Sequence, residues 1–432
     1  MGETDRIASV ASEAAILVGV LLPEKSYNGA PLEELEGLAG AAGTRVVGHV
    51  TQRRQVPDAA TYLGRGKVEE LKRLAAATRA DVIIFDNDLT PAQTRNLEKA
   101  IAVKVIDRTE LILDIFASRA RTHEARLAVE LAQLEYSMPR LKRMWTHLSR
   151  QRNGVGLRGP GEKQLEVDRR LVERRITDLR SELEVIHRRK AREVRARRGL
   201  MTVCLVGYTN AGKSTLLNAL TGACVHTQDA LFATLDTRTR RWQLPGWGPV
   251  LLSDTVGFIR DLPHHLIASF KATLEEARQA DLLLHVADAS NPAVYEQIAS
   301  AFKVLEEIGI ETKDTLLVIN KVDALPDRVR VDGLLNRYPR AIPISARNGQ
   351  GLARLAEEVG AALSRGFVDV EVETGVENGR LVAYLARHGE ILSKRYTDAR
   401  VIVHCRIAPR HLGPLHEPGT VVRRFDGNRE VA

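Results

Sequence analysis

Residues 207–214 read Gly207-Tyr208-Thr209-Asn210-Ala211-Gly212-Lys213-Ser214, with Thr215 following. Two glycines let a backbone curl until successive N–H groups point at phosphate oxygens. In such a loop Lys213 reaches the β- and γ-phosphates and the Ser214 hydroxyl ligates Mg²⁺. Downstream, Asp254-Thr255-Val256-Gly257 closes an apolar run. A carboxylate there can hold the Mg²⁺ water shell, and Gly257 can turn its N–H to the γ-phosphate. Further on comes Asn320-Lys321-Val322-Asp323. Asp323 can accept two hydrogen bonds from a guanine edge, which adenine does not offer. Ser345-Ala346-Arg347 then supplies a backbone N–H for the guanine oxygen. The chemistry predicted is GTP binding and hydrolysis, with Lys213, Thr234, Asp254 and Gly257 as the catalytic set.

Phe232-Ala233-Thr234-Leu235-Asp236 lies between the phosphate loop and Asp254. Thr234 is the leading candidate for a threonine that joins the Mg²⁺ shell only while the γ-phosphate is present, with Thr237 and Thr239 as alternatives. Where many GTPases carry a water-orienting glutamine after Asp-x-x-Gly, this chain has Phe258. A phenyl ring cannot hydrogen-bond water, so slow intrinsic hydrolysis is expected, with a partner or a bound monovalent cation supplying the rest. Asn210 has two open readings: it holds K⁺ against the phosphates, or it only stabilises the loop.

These residues need a scaffold. Apolar runs at Thr202–Val206, Leu251–Asp254, Leu282–Ala287 and Thr315–Ile319, with a short strand closed by Ile344–Ala346, predict a doubly wound, mostly parallel sheet. Ligands of such sheets bind at the carboxyl ends of the strands, where all the motifs fall. The phosphate loop should open a helix from Lys213 to about Ala219, whose N-terminus adds partial positive charge.

The chain's net charge of +8 is unevenly spread. Residues 140–198 hold 19 Lys and Arg against 8 Asp and Glu, a balance of +11, so the remainder nets −3. So concentrated a segment predicts a polyanionic partner. Its apolar residues step by 4 and 3: Leu127, Leu131, Leu134, Met138, Leu141, Trp145 and Leu148, then Val172, Ile176, Leu179, Leu183 and Ile186. That spacing predicts an antiparallel helical hairpin, each arm about 35 residues and roughly 50 Å long, with a kink possible at Pro139. Between the arms, residues 153–161 contain four glycines and a proline, which no helix traverses. Arg158 is the tip's one charge and its expected RNA contact, among Asn153, Gly154, Gly159 and Gly161. No DNA partner is expected.

Four domains are expected: an α/β domain over 1–115, the hairpin over 116–199, the GTPase domain over 200–365 and a small α+β domain over 366–432. In the first, strands are predicted at Ala14–Leu22, Arg45–Val50, Asp81–Phe85 and Val103–Ile106. Thr90-Pro91-Ala92-Gln93 reads as a helix start. Leu63-Gly64-Arg65-Gly66-Lys67 has two readings: a turn into a helix, which is favoured, and a phosphate-binding loop formed by its glycines and basic residues. In the last, Val368–Val372 and Arg400–Ile407 read as strands, Gly379–His388 as helix, and the tail after Pro409 as loose. A hydrophobic content of 44% is ordinary for globular chains, and no apolar run approaches membrane-spanning length. Cys204, Cys224 and Cys405 are scattered, predicting neither a zinc site nor disulfides. With a polar N-terminus unlike a secretory signal, a cytoplasmic monomer is expected.

The chain resembles the HflX-type GTPases. The resemblance is carried by Tyr62–Leu71, Arg119–Tyr136, Arg158-Gly-Pro-Gly-Glu162 and the segments at 207–214, 232–236 and 254–258. Where the family often has Gly-Gly at the start of the hairpin loop, this chain has Asn153-Gly154. The resemblance implies association with the large ribosomal subunit, the hairpin loop reaching the peptidyl-transferase region. It implies a role in splitting or rescuing stalled ribosomes under stress, and a ribosome that supplies what Phe258 lacks. It also implies ATP binding by the N-terminal domain, as in some members. Two alternatives stand beside it: an assembly factor for immature large subunits, and a non-ribosomal switch whose hairpin recruits a protein.

Overall fold

In the computed structural model the sheets form where apolar runs are bounded by turn residues. The structure describes residues 10–23, 31–144, 160–196, 200–223, 231–232, 237–245, 247–260, 276–307, 309–310, 314–365, 367–397, 399–415 and 417–424. The chain divides into two compact units. One is Met1–Lys190 with Gln228–Asp236 and Ile259–Ala272; the other is Ala191–Thr227, Thr237–Phe258 and Thr273–Ala432.

In the first unit, strands β1 (Ala14–Leu21), β2 (Arg45–Arg53), β3 (Val82–Phe85) and β4 (Lys104–Asp107) form a parallel sheet of order β2-β1-β3-β4. β1 and β3 are almost wholly buried, as continuous apolar runs in a sheet covered on both faces should be. Helix Pro91–Ile101 starts as its sequence requires: Thr90 and Gln93 form a reciprocal capping box and Pro91 takes the first turn. Gly64 precedes helix Arg65–Thr78, and its N–H donates to Gln52 Oε1 at 2.9 Å. Helix Arg108–Arg119 was not foreseen and runs across the expected domain boundary at 115/116. Asp107 caps it through the Glu110 N–H at 2.9 Å. The same carboxylate accepts from Tyr136 Oη at 2.6 Å and Arg140 at 3.0 Å, which ties the base of the hairpin to the sheet.

The hairpin arms are His123–Met144 and Pro160–Ala196. Pro139 lies inside the first, which stays helical through it. Leu127, Leu131, Ile176, Leu179 and Leu183 form one buried seam, flanked by Leu134, Met138, Val172 and Ile186, the residues the 4-3 spacing selects. Glu124 pairs with Lys190 and, further along, Glu135 with Arg180, so the arms run antiparallel. Arg175 adds a two-point contact to Glu130. These cations of the second arm stitch the hairpin to itself. Trp145, Leu148 and residues 153–159 lie outside the described residues; Gly161 falls in the first turn of the second arm.

In the second unit, β5 (Thr202–Gly207), β6 (Arg238–Leu244), β7 (Gly248–Asp254), β8 (Leu282–Asp288), β9 (Thr315–Asn320) and β10 (Ile342–Pro343) form a sheet of order β10-β9-β8-β5-β7-β6. All neighbours are parallel except β6, which returns antiparallel along β7. β10 stops before Ile344–Ala346, so those three residues form a loop after the strand. One face of the sheet buries Leu205, Leu216, Trp242, Leu252, Leu284 and Val359; the other buries Ala287, Ile298, Leu317 and Leu334.

The remaining residues form an antiparallel sheet of order β12-β13-β11-β14, with β11 at Val368–Gly375, β12 at Gly389–Tyr396, β13 at Arg400–Ile407 and β14 at Val421–Arg424. Helix Gly379–His388 covers its apolar face. The tail is not loose up to Arg424. Short 3-10 turns at Pro409–His411 and Gly413–Leu415 carry it to β14, which pairs with β11 and satisfies that strand's edge.

Candidate nucleotide site

β5 delivers Gly207 at its end and helix Lys213–Thr221 begins at once, the strand–loop–helix order the phosphate loop requires. Gly212 caps that helix with φ +90°, a left-handed conformation open to glycine. A Cβ on Gly212 would also collide with Asn320 Nδ2. Lys213 is buried and its ammonium donates to the Gly207 and Tyr208 carbonyls at 3.0 and 2.7 Å. Burial pushes its pKa down to about 8, against the opposing pull of Asp254.

Asp254 ends β7, fully buried, and Ser214 donates to its Oδ2 at 2.5 Å. Burial raises the Asp254 pKa while Lys213 opposes the rise. Oδ1 of Asp254 is buried without a hydrogen-bond partner among the described residues. An orphaned carboxylate oxygen beside a serine hydroxyl is the hard-oxygen donor set that suits Mg²⁺ and its waters. Thr255 Oγ1 donates to the Leu205 carbonyl at 2.7 Å and locks the turn. Thr209 N–H donates to the Phe258 carbonyl at 2.7 Å, and Phe258 N–H to the Gly207 carbonyl at 3.0 Å. The phosphate loop and the Asp-x-x-Gly segment are therefore zipped together, with Val256 and Phe258 buried. Gly257 sits so close that a Cβ there would lie 2.7 Å from Thr209 Cα and 2.9 Å from Lys213 Nζ.

Asn320 ends β9 and joins three loops. Its Nδ2 donates to the Ala211 carbonyl at 2.9 Å, its Oδ1 accepts from Ala346 N at 3.0 Å, and its carbonyl accepts from Ala289 N at 2.9 Å. Ser345 is buried and accepts from Asn348 N through its hydroxyl; Arg347 is exposed. Asp323 is exposed in the 3-10 turn Val322–Ala324. The structure thus brings residues 207–215, 254–257, 320–323 and 345–347 to one end of one sheet. His285, within β8 and edge-on to Phe302, is held at a pKa of about 4 by burial and by Lys213.

The other expected site residues either lie outside the described residues or are engaged in other contacts. Ala233, Thr234, Leu235 and Asp236 lie outside the described residues, as do Asn153, Gly154, Arg158 and Gly159. Phe232 buries its ring edge-on against Phe116, centroids 4.6 Å apart, within the first unit. Its side chain is thus occupied by packing. Thr237 donates to Glu276 at 3.2 Å and Thr239 shares a hydrogen bond with Ser253 at 2.9 Å. Asn210 is exposed with φ +60°. One residue escaped the sequence reading: Asp288, at the end of β8, forms an ion pair with Lys321 at 2.8 Å. Its signal was Asp288-Ala-Ser-Asn291, a turn-forming tetrad at the carboxyl end of an apolar run.

GTPase HflX of Magnetococcus marinus is 46% identical over 414 residues, covering 94% of this chain and 95% of its own length. GTPase HflX of Escherichia coli is 47% identical over 374 residues, covering 86% and 88%. The chain belongs to the HflX family of GTPases. Models of the GTP-binding GTPase N-terminal region, the GTP-binding GTPase middle region and the 50S ribosome-binding GTPase match residues 30–117, 119–198 and 202–321 of this HflX-family chain. Among solved structures, a GTP-binding protein of Sulfolobus solfataricus with GDP is similar over 82% of the chain and 99% of its own, at 25% identity and TM-score 0.43. The fold is that of a P-loop GTPase preceded by an α/β domain, and the chain is a GTP-binding GTP hydrolase. Among the described residues no helix is long and apolar enough to cross a membrane.

Proposed function

We propose that this GTPase acts on the large ribosomal subunit or the 70S ribosome, to split or rescue ribosomes stalled under stress. Lys213 neutralises the β- and γ-phosphates, and the N–H groups of residues 209–215 cradle them. Ser214 and Thr234 would hold Mg²⁺, with Asp254 acting through water, and the bound ion would supply charge neutralisation at the phosphates. Gly257 presents its N–H to the γ-phosphate. Asn320, Lys321 and Asp323 hold the guanine, with Ser345–Arg347 closing over it. The observation that carries this assignment is Asp254, whose buried Oδ1 has no hydrogen-bond partner among the described residues beside the Ser214 hydroxyl.

The ribosomal part is supported by the basic hairpin and by the matched family description, which names 50S binding. The arm cations that meet glutamates hold the hairpin shut, so the tip, with Arg158 and its glycines, is the part proposed to enter rRNA. Phe258 is buried and bonded to the phosphate loop through its backbone, so no side chain there orients water. The ribosome is proposed to supply that function, and K⁺ at Asn210 to assist. At the N-terminal domain, where the resemblance implies ATP binding, the Gly64 N–H already donates to Gln52 Oε1.

GTP turnover in KCl should rise strongly when purified 50S subunits are added, and fall when NaCl replaces KCl. Absence of stimulation with measurable basal hydrolysis would favour an assembly factor or a protein-recruiting switch. Equal rates in the two salts would remove K⁺ from the mechanism. Arg158→Glu should weaken 50S co-sedimentation while leaving GTP affinity in place. Loss of both, or of neither, would contradict the division of labour between hairpin and G domain.

A further inference from the structure

We propose that Asp288 is a positioning residue for guanine: it holds Lys321 in the conformation that receives the base before any nucleotide arrives. The inference rests on the reading of Asn320–Asp323 as the guanine site and assigns to that site a residue outside the Asn-Lys-x-Asp motif.

Asp288 closes β8 directly opposite Asn320, the partner residue in the β8–β9 ladder. It is 9% exposed, and its two oxygens have separate tasks. Oδ1 accepts from Ser290 N at 2.9 Å and from Ser290 Oγ at 2.6 Å, which fixes the carboxylate plane. Oδ2 faces Lys321 Nζ at 2.8 Å. The Asn291 N–H returns to the Asp288 carbonyl at 3.3 Å, and Ala289 N–H donates to the Asn320 carbonyl, so the turn cannot drift from the motif it serves.

Lys321 is itself in an unusual state. Its φ is +63°, left-handed for a side chain with a Cβ, and such conformations persist only where the surroundings impose them. Its Cε lies 4.0 Å from where a Cβ on Gly212 would stand, so its stem crosses the shoulder of the phosphate loop on the way to Asp288. A free lysine side chain carries rotamer entropy that a ligand must otherwise remove on binding. Anchored by its ammonium, the stem becomes a fixed apolar rest for the purine face, and the ordering cost is met in the folded protein. The partly enclosed pair, with Lys321 29% and Asp288 13% exposed at the side chain, is shielded more than a surface bridge.

The test is nucleotide affinity in Asp288→Asn, which keeps an oxygen for Ser290 and removes the charge facing Lys321. Dissociation constants for GDP and GTP should rise together, by about five- to tenfold. Competition by inorganic pyrophosphate, which meets only the phosphate loop, should stay as in wild type. The double variant Asp288→Asn/Lys321→Ala should be no weaker than Lys321→Ala alone, because both changes remove one interaction. Ser290→Ala keeps the charge and loosens its plane, so it should show a smaller loss in the same direction. Unchanged GDP affinity in Asp288→Asn would overturn the proposal, as would losses that multiply in the double variant. A parallel loss of pyrophosphate binding would reduce Asp288 to a structural residue and overturn it too. Wild-type protein that bound pyrophosphate but no guanine nucleotide would instead overturn the guanine-site reading on which the proposal stands.

Discussion

Lys213 has its ammonium enclosed and satisfied by two backbone carbonyls, with a pKa drawn down from 10.5 to about 8 by burial. Between those values the unfolded chain holds a proton that the nucleotide-free folded chain lacks. Stability of the nucleotide-free protein therefore rises with pH from about 8 to about 10.5 on this residue's account. Phosphates favour the charged lysine, so nucleotide binding should draw a proton from the buffer once pH exceeds about 8. Titration calorimetry of GDP in two buffers of different ionisation enthalpy checks this: apparent enthalpies should diverge above that pH and coincide near neutrality. Identical enthalpies throughout would contradict it. The phosphate loop and Asp254 were legible in the sequence because each motif completes itself within a few residues. The Phe116–Phe232 contact and the Asp288–Lys321 pair were not, because each joins side chains far apart in sequence that only the folded chain brings together.

At the level of elements, strands buried on both faces, such as β1, β5, β8 and β9, are legible because apolar residues run through them without interruption, and β11 and β13 are legible by their alternation. The ones missed are edge strands. β12 is mostly exposed along its length, β14 has four residues, and β6 is rich in arginine. Such strands are specified by the neighbour whose backbone they pair with, and their own sequences carry a weak apolar signal. The hairpin is the opposite case, because a 4-3 stripe is self-announcing and both arms use it. Leu179 is its most buried contact in the second arm. Leu179→Ala should destabilise the hairpin by roughly 2–5 kcal/mol. Circular dichroism should show earlier loss of helix on heating, while GDP affinity of the G domain stays as in wild type. A fall in GDP affinity would mean the seam supports the nucleotide site as well.

At the scale of the whole molecule, several buried apolar clusters are distinct among the described residues. One lies on a face of the parallel sheet of the first unit, another is the hairpin seam, two more lie on the faces of the six-stranded sheet, and the C-terminal sheet has its own. These five have no described residue in common. Each is a reservoir of apolar burial that can be lost while another is kept, so the chain should not melt as one cooperative block. Scanning calorimetry should resolve more than one thermal component, and a van't Hoff enthalpy below the calorimetric value. Added GDP should displace upward only the component that carries the six-stranded sheet. Heat stress would then dismantle this GTPase in stages, with the part that grips nucleotide outlasting its neighbours for as long as the nucleotide stays bound.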